Sequence, residues 1–156
     1  HLGRTVLAVD VSPARLELAQ RLGASQVIQA GQGDTVAAIQ ALTHGAGADA
    51  AIEAAGRPET AKQCFQAVRP GGTVVFNGEQ PSITLSPSED FIRRDIAAVG
   101  AWYYHFSEFG AMLALAREGM HIQGLITHRF PLSEAGAAFR LFAAGQTGKV
   151  VLHLKD

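Results

Sequence analysis

What the 156-residue chain lacks narrows its function before any motif is considered. It carries one cysteine, Cys64, so no internal disulfide can form, which suits a reducing compartment and makes the cytoplasm the expected location. No apolar run approaches the roughly 20 residues of a membrane-spanning helix. Thirteen basic against fourteen acidic residues give a formal charge of -1, which leaves no electrostatic footprint for nucleic acid or a membrane surface. The histidines show no metal-binding spacing such as His-Glu-x-x-His, so His1, His44, His121, His128 and His153 read as surface or structural residues. What is present, 47% apolar and 17% charged residues, is the balance of a globular protein long enough for one domain and a sizeable core.

The most informative stretch is Thr5 to Asp10, a short β-branched and apolar run that reads as a buried strand closed by a carboxylate. In open α/β sheets ligands bind beyond the carboxyl ends of the strands, where an acid can accept both hydroxyls of an adenosine ribose. Asp10 therefore points to a nucleotide, with an acid that merely opens a turn as the plainer alternative. Ser12 and Pro13 suit an N-cap and first helical position. Ala14, Leu18 and Leu22 recur at helical spacing, and Gly23 ends the helix. Gln26 to Gln29 is a brief strand, and Asp34 caps a second helix with Val36, Ile39 and Leu42 on one face. Ala50 to Ala54 is a third strand. Pro58 opens a helix that turns Ala61, Cys64, Phe65 and Val68 to the core, so Cys64 is expected to be a buried apolar residue rather than a nucleophile.

Arg69 to Gly72 reads as a turn feeding the strand Thr73 to Phe76, and Asn77-Gly78 leaves the sheet. One helical turn over Phe91 to Asp95 and a strand over Ala97 to Ala101 follow. Phe109, Met112, Leu113 and Ala116 mark a long helix, and Leu125 to Phe130 extends again. A last helix carries Ala135, Ala138, Phe139 and Phe142, and Lys149 to Leu154 forms the terminal strand. Alternation of strand and helix implies parallel strands joined by right-handed crossovers, hence an α/β fold with a doubly wound, Rossmann-like sheet. Such strands, covered on both faces, should read as continuous apolar runs, and Val6 to Val9, Ala50 to Ile52 and Val74 to Phe76 do.

Together these stretches resemble the C-terminal half of the medium-chain dehydrogenase/reductase superfamily, and within it the zinc-dependent alcohol and polyol dehydrogenases of the sorbitol and threonine type. The markers are Val9-Asp10 with Arg15-Leu16 and Leu22-Gly23-Ala24, Glu53-Ala54-Ala55-Gly56-Arg57, and Arg69-Pro70-Gly71-Gly72-Thr73-Val74-Val75. Leu125 to Leu132, Glu134-Ala135, Ala138-Phe139 and Gly148 to Leu152 continue the series. No one of them is decisive, and their order and spacing over nearly the whole chain are far more specific than any member.

The resemblance implies a coenzyme site. Asp10 matches the acid that holds the ribose hydroxyls, and its charge would repel a 2′-phosphate, which favours NAD over NADP. Arg15 matches a basic residue beside that ribose, with an ordinary solvated helix charge as the alternative. Ala54, Ala55 and Gly56 match a segment where backbone runs close to the coenzyme, and Gly56 suits a close approach because it has no Cβ. Arg57 matches a coenzyme-contacting arginine of some members, with a surface salt bridge as the alternative. Asn77, Gly78 and Glu79 match the segment whose backbone bonds the nicotinamide carboxamide, and Ala101 to Tyr103 a second segment near that ring. Lys149 matches a basic residue near the pyrophosphate. The run Trp102 to Phe106, which includes His105, could wall a substrate cleft, but packing at a strand end or subunit contact is the expected role.

The same resemblance shows what is missing. The Gly-rich phosphate loop belongs after a strand preceding Thr5, and the catalytic zinc ligands belong to the family's N-terminal half; neither is in this sequence. That first strand lies in the middle of the 3-2-1-4-5-6 order, so without it two neighbours should lack a ladder partner. The expectation is therefore a fragment that starts in mid-fold, residues 1–130 forming a partial NAD-binding domain and 131–156 a helix and strand returning towards an absent catalytic domain. NAD is the expected coenzyme, with zinc in the parent protein and none of its ligands here. A small alcohol or polyol is the expected substrate, a homodimer or homotetramer the expected assembly, and the isolated chain is expected to be inactive. A zinc-independent quinone oxidoreductase of the same superfamily, an S-adenosylmethionine methyltransferase and a non-catalytic binding domain stay open as alternatives.

Overall fold

In the computed structural model, which describes residues 2–154, strands and helices alternate along the chain. The strands are β1 (Leu7–Asp10), β2 (Gln26–Gln29), β3 (Ala48–Glu53), β4 (Val68–Phe76), β5 (Ala97–Gly100), β6 (Ile126–Pro131) and β7 (Lys149–His153). The helices are α1 (Pro13–Arg21), α2 (Thr35–Leu42), α3 (Pro58–Ala67), α4 (Phe109–Arg117) and α5 (Ala135–Ala143). All strand pairs among the described residues are parallel, as strand–helix–strand connections require. The expected α/β, Rossmann-like class is therefore met. No helix among the described residues is long and apolar enough to cross a membrane. His1 lies outside the described residues.

Two compact units result, one formed by residues 33–106 and the other by residues 1–32 with 107–156. In the first, β4 lies between β3 and β5. Its core is Phe65, Val68, Val74 and Ile96, with Phe76 and Phe91 against Phe65 at ring-centroid distances of 5.9 and 5.1 Å. Helix α3 supplies Ala61 and Phe65 at the predicted spacing, while Cys64 on the same face is half-buried. Burial, and after it the Glu53 carboxylate, pushes the Cys64 thiol up to about 11, which fits a structural rather than a reactive residue.

Register shows that only one face of this sheet is covered. Ala51 aligns with Val74 and Ala98, on the face that carries the core, whereas Ile52 aligns with Val75 and Val99 on the other. Ile52 is 68% exposed and Val99 is exposed too, so the two-sided burial inferred from the apolar run Ala50 to Ile52 is not met. Apolar composition licenses burial but does not supply the covering layer.

Arg69 to Gly72 is not a turn ahead of the strand but an outward bulge within β4. The ladder steps from Ala48↔Val68 to Ala50↔Thr73, so that Asp49 alone stands opposite four residues. Arg69 fastens the bulge by donating from Nε to Asp49 Oδ1 at 2.7 Å, and a Cβ on Gly72 would lie 2.7 Å from the Arg69 carbonyl oxygen. Beyond Phe76, the loop to β5 is tied down by Asp90, which accepts both the Lys62 ammonium and the Ser86 amide at 2.7 Å. The single turn expected over Phe91 to Asp95 is longer. A wide turn at Pro87–Phe91 runs into a tight one at Ile92–Arg94, and Arg94 donates to the carbonyls of Phe65 and Val68 at the end of α3.

In the second unit β1 pairs with β2 from Leu7↔Gln26 to Asp10↔Gln29, and β6 pairs with β7. The strand read as Thr5 to Asp10 begins at Leu7, and Val6 is exposed. Helix α1 buries Leu16 rather than the predicted Ala14, which is exposed; Leu18 and Leu22 are half-buried. Ser12 occupies the N-cap position but makes no side-chain capping bond. Asp34, by contrast, caps α2 as expected, accepting from the amides of Val36 and Ala37 at 2.9 and 3.0 Å. Helices α4 and α5 present Phe109, Met112, Leu113, Phe139 and Phe142 with substantial exposure, so these helical faces are amphipathic without being buried.

Candidate functional site

The carboxyl ends of β3, β4 and β5 lie side by side because the strands are parallel and in register, and the segments that leave them carry most of the predicted site residues. After β3 come Ala54, Ala55, Gly56 and Arg57; after β4, Asn77, Gly78 and Glu79; after β5, Ala101 and Tyr103. Hydrogen bonds join the three segments. Asn77 and Gly78 donate their amides to the Glu53 carbonyl at 2.9 and 2.7 Å. The Asn77 carboxamide donates to the Ala101 carbonyl at 3.1 Å, and the Ala101 amide to the Phe76 carbonyl at 2.8 Å.

Backbone approaches backbone closely here. Gly56 has φ of +69°, and a Cβ built on it would lie 2.8 Å from the Glu79 carbonyl oxygen. A Cβ on Gly78 would collide with the Gly56 amide nitrogen and lie 2.5 Å from Glu53 Oε2. Both glycines are thus required by tight packing of the two segments against each other, a second reason beside the close coenzyme approach expected for Gly56. Glu53 was not among the predicted site residues. The signal that could have found it is a carboxylate closing an apolar strand, the same signal that singled out Asp10.

Other residues sit further out. Arg57 is exposed and lies 3.5 Å from Glu59, the surface pairing that was its alternative. Tyr103 is 80% exposed with φ of +57°, its ring edge-on to Trp102 at 5.0 Å. Trp102 is 71% and Phe106 91% exposed, so these two rings leave aromatic surface open beyond the contact between Trp102 and Tyr103.

In the other unit Asp10 ends β1 and opens the turn into α1, the plainer of the two readings made for it. Its Oδ1 accepts the Ser12 amide at 2.8 Å and so opens the turn into α1, while Oδ2 lies 3.7 Å from Arg15 Nη1. Half-buried, the carboxylate keeps one oxygen clear of the turn. Arg15 is on the first turn of α1, and its guanidinium is 3.7 Å from where a Cβ on Gly145 would stand. Lys149 is the exposed first residue of β7. No group of three His, Cys, Asp or Glu side chains among the described residues is arranged to hold a metal.

Comparison with known proteins gives this arrangement a context. The zinc-binding dehydrogenase family model matches residues 1–118. The chain is 32% identical over 154 residues to an L-threonine 3-dehydrogenase of Chromobacterium violaceum, covering 97% of this chain and 45% of that protein. Among solved structures, an alcohol dehydrogenase from Thermotoga maritima superposes with a TM-score of 0.87 at 28% identity, over 97% of this chain and 44% of that one. The 2R,3R-butanediol dehydrogenase of Bacillus subtilis gives 0.86 at 26% identity, over 97% and 44%. The chain therefore spans somewhat less than half the length of the relatives it matches.

Proposed function

Because the chain belongs to the zinc-binding dehydrogenase family, we propose that it is the coenzyme-binding portion of an NAD-dependent dehydrogenase acting on a small secondary alcohol or polyol. The carrying observation is the Asp10 carboxylate at the carboxyl end of a parallel strand, with one oxygen committed to the turn and the other left towards Arg15. A carboxylate so placed accepts the ribose hydroxyls, and its charge disfavours a 2′-phosphate. Gly56 and Gly78 let the segments that follow β3 and β4 pack directly against each other at the strand ends, which supports a preformed backbone surface for a coenzyme there. NAD, when bound, supplies the acceptor for the hydride that leaves the alcohol carbon.

In this reading residues 1–130 form the partial coenzyme domain and 131–156 the return segment. Asp10 and Arg15 hold the adenosine ribose. Residues 54–57, 77–79 and 101–103 present the strand ends to the nicotinamide side, and Lys149 lies towards the pyrophosphate. Zinc belongs to the whole protein, with no ligand assigned among the residues described. Relatives named for L-threonine and 2R,3R-butanediol support a secondary alcohol. Strand β5, which pairs on one side with β4 and is exposed along its length, supports assembly into a homodimer or homotetramer through that edge.

Titration with NADH and NADPH tests the coenzyme assignment. NADH should bind at least about tenfold more tightly, and D10A should abolish the difference, as loss of a charged hydrogen-bond acceptor predicts. Equal affinity in the unsubstituted protein, or tighter binding of S-adenosylmethionine, would sink it. The 156 residues alone should show negligible turnover of alcohols with NAD, and robust turnover would refute their being a portion of the enzyme.

A further inference from the structure

The two segments that follow β3 and β4 are joined by a carboxylate to which the coenzyme reading gives no role. Glu53 is 1% exposed, among the largest fully buried side chains. Its Oε1 accepts the Ala55 amide at 2.9 Å, the Gly56 amide at 3.0 Å and the Thr60 hydroxyl at 2.6 Å, and Oε2 lies 3.2 Å from the Gly56 nitrogen. The carbonyl of the same residue accepts the amides of Asn77 and Gly78. Among the described residues no Lys, Arg or His forms an ion pair with it.

A carboxylate buried without a cation is costly unless hydrogen bonds replace its water, and here those donors are the amides of the turn itself. Three donors converge on the single oxygen Oε1, so they hold the turn in one geometry. Glu53 grips the segment after β3 with its side chain and the segment after β4 with its backbone. Gly78 packs where any Cβ would strike Glu53 Oε2, which fixes the spacing between the two. Thr60, near the start of α3, extends the grip into the following helix.

The geometry points to Glu53 as a positioning residue that presets the strand-end segments 54–56 and 77–79 for the coenzyme, acting through their backbone without touching the ligand. The inference rests on the NAD reading, and its content is preorganisation: an ordered site loses less freedom when ligand arrives. Thus the reach of the side chain matters more than its charge. Glutamine keeps an oxygen where Oε1 stands, whereas aspartate keeps the charge but is one methylene too short to serve the same three donors.

The test measures NADH affinity and amide hydrogen exchange in E53Q, E53D and E53A of the full chain. E53Q should bind within about threefold of the unsubstituted protein, while E53D and E53A should bind about tenfold or more weakly. Exchange at Ala55, Gly56 and Gly78 should quicken in E53D and E53A, with the interior of α3 unchanged. Should E53A fail to fold, E53D against E53Q decides alone. Affinity in E53D equal to that of the unsubstituted protein, or exchange that quickens uniformly through α3 as affinity falls, overturns the proposal. Failure of the unsubstituted protein to bind NADH overturns the coenzyme reading instead; unaltered exchange at Gly56 and Gly78 in E53D and E53A overturns the role of Glu53, so the two failures are told apart.

Discussion

The two units of this chain handle similar apolar content in different ways. Residues 33–106 close a core around Phe65, Val68, Val74 and Ile96, and hold their loops with buried polar groups, Glu53 and Asp90. In residues 1–32 with 107–156, Leu16 and Ala138 are the buried apolar side chains among those described, while Phe139 and Phe142 on α5 and Met112 on α4 stand exposed. The first unit makes a three-stranded sheet whose middle strand is paired on both sides; the second has two separate two-stranded pairs. A strand paired on both sides can carry a core, because the sheet then offers a continuous face for a helix to cover. The strand-end site in residues 54–103 rests on such a base, and Asp10 does not.

Phe65→Ala against Phe139→Ala should break the comparison most sharply. Removing the buried ring should destabilise by about 3–5 kcal/mol, and truncating the ring that is 68% exposed by about 0.5 kcal/mol or less, in chemical denaturation. Equal losses would mean that the α5 face is covered in solution.

Charged groups give the next contrast. Asp90→Asn, which weakens acceptance from Lys62 and Ser86, should cost about 2 kcal/mol, whereas Asp10→Asn, at a 3.7 Å half-exposed pair, should cost about 0.5 kcal/mol or less. The Lys62 ammonium first, then the Ser86 amide, hold the Asp90 carboxyl below its ordinary 3.8. The unfolded chain therefore takes up the proton first. The Asp90 contribution is complete above that ordinary value and is lost as pH falls through the folded one, so acid unfolding should begin at higher pH without it than with it only in so far as other carboxylates act, and the D90N difference itself should vanish in acid. A difference that does not shrink as pH falls below 3.8 would show that packing, not charge, carries the effect.

Glycine substitutions give a third contrast, of similar size. Gly78→Ala should destabilise by about 1–3 kcal/mol because its Cβ meets Gly56 and Glu53, whereas Gly100→Ala on β5, with nothing within 4 Å, should be neutral or slightly stabilising. Thermal melts of the pair read this directly. Smallest in stability terms is Cys64, whose thiol, pushed up to about 11 from its ordinary 9.0, should react with iodoacetamide at least about tenfold more slowly at neutral pH than an ordinary thiol, because its thiolate is scarcer although somewhat more nucleophilic. Rapid labelling of the folded protein would mean that α3 opens.

Much of this was legible from residue order. The strands β2 and β7, the Asp34 cap, the Ala61 and Phe65 face of α3 and the parallel alternation all follow from local pattern, because helix period, capping and strand composition are properties of neighbours in sequence. The misreadings are non-local. Pro70-Gly71-Gly72 has the chemistry of a turn, and only pairing with Asp49 makes it a bulge within β4. Ala14 and Leu16 are both compatible with an apolar face, and packing selects Leu16.

Residue order alone was enough for a strand closed by Asp10, for glycines at 56 and 78, and for the alternation that makes this a parallel α/β chain, but it ran the third strand on to Ala54, one residue past its end at Glu53. How those ends are held depends on pairing between strands. The Asn77 and Gly78 amides reach the Glu53 carbonyl because β3 and β4 run parallel with Glu53 opposite Phe76, which places residues 25 apart in sequence, Glu53 and Gly78, within a hydrogen bond of one another. No local pattern encodes that distance, because it is set by pairing between strands whose separation in the chain α3 spans.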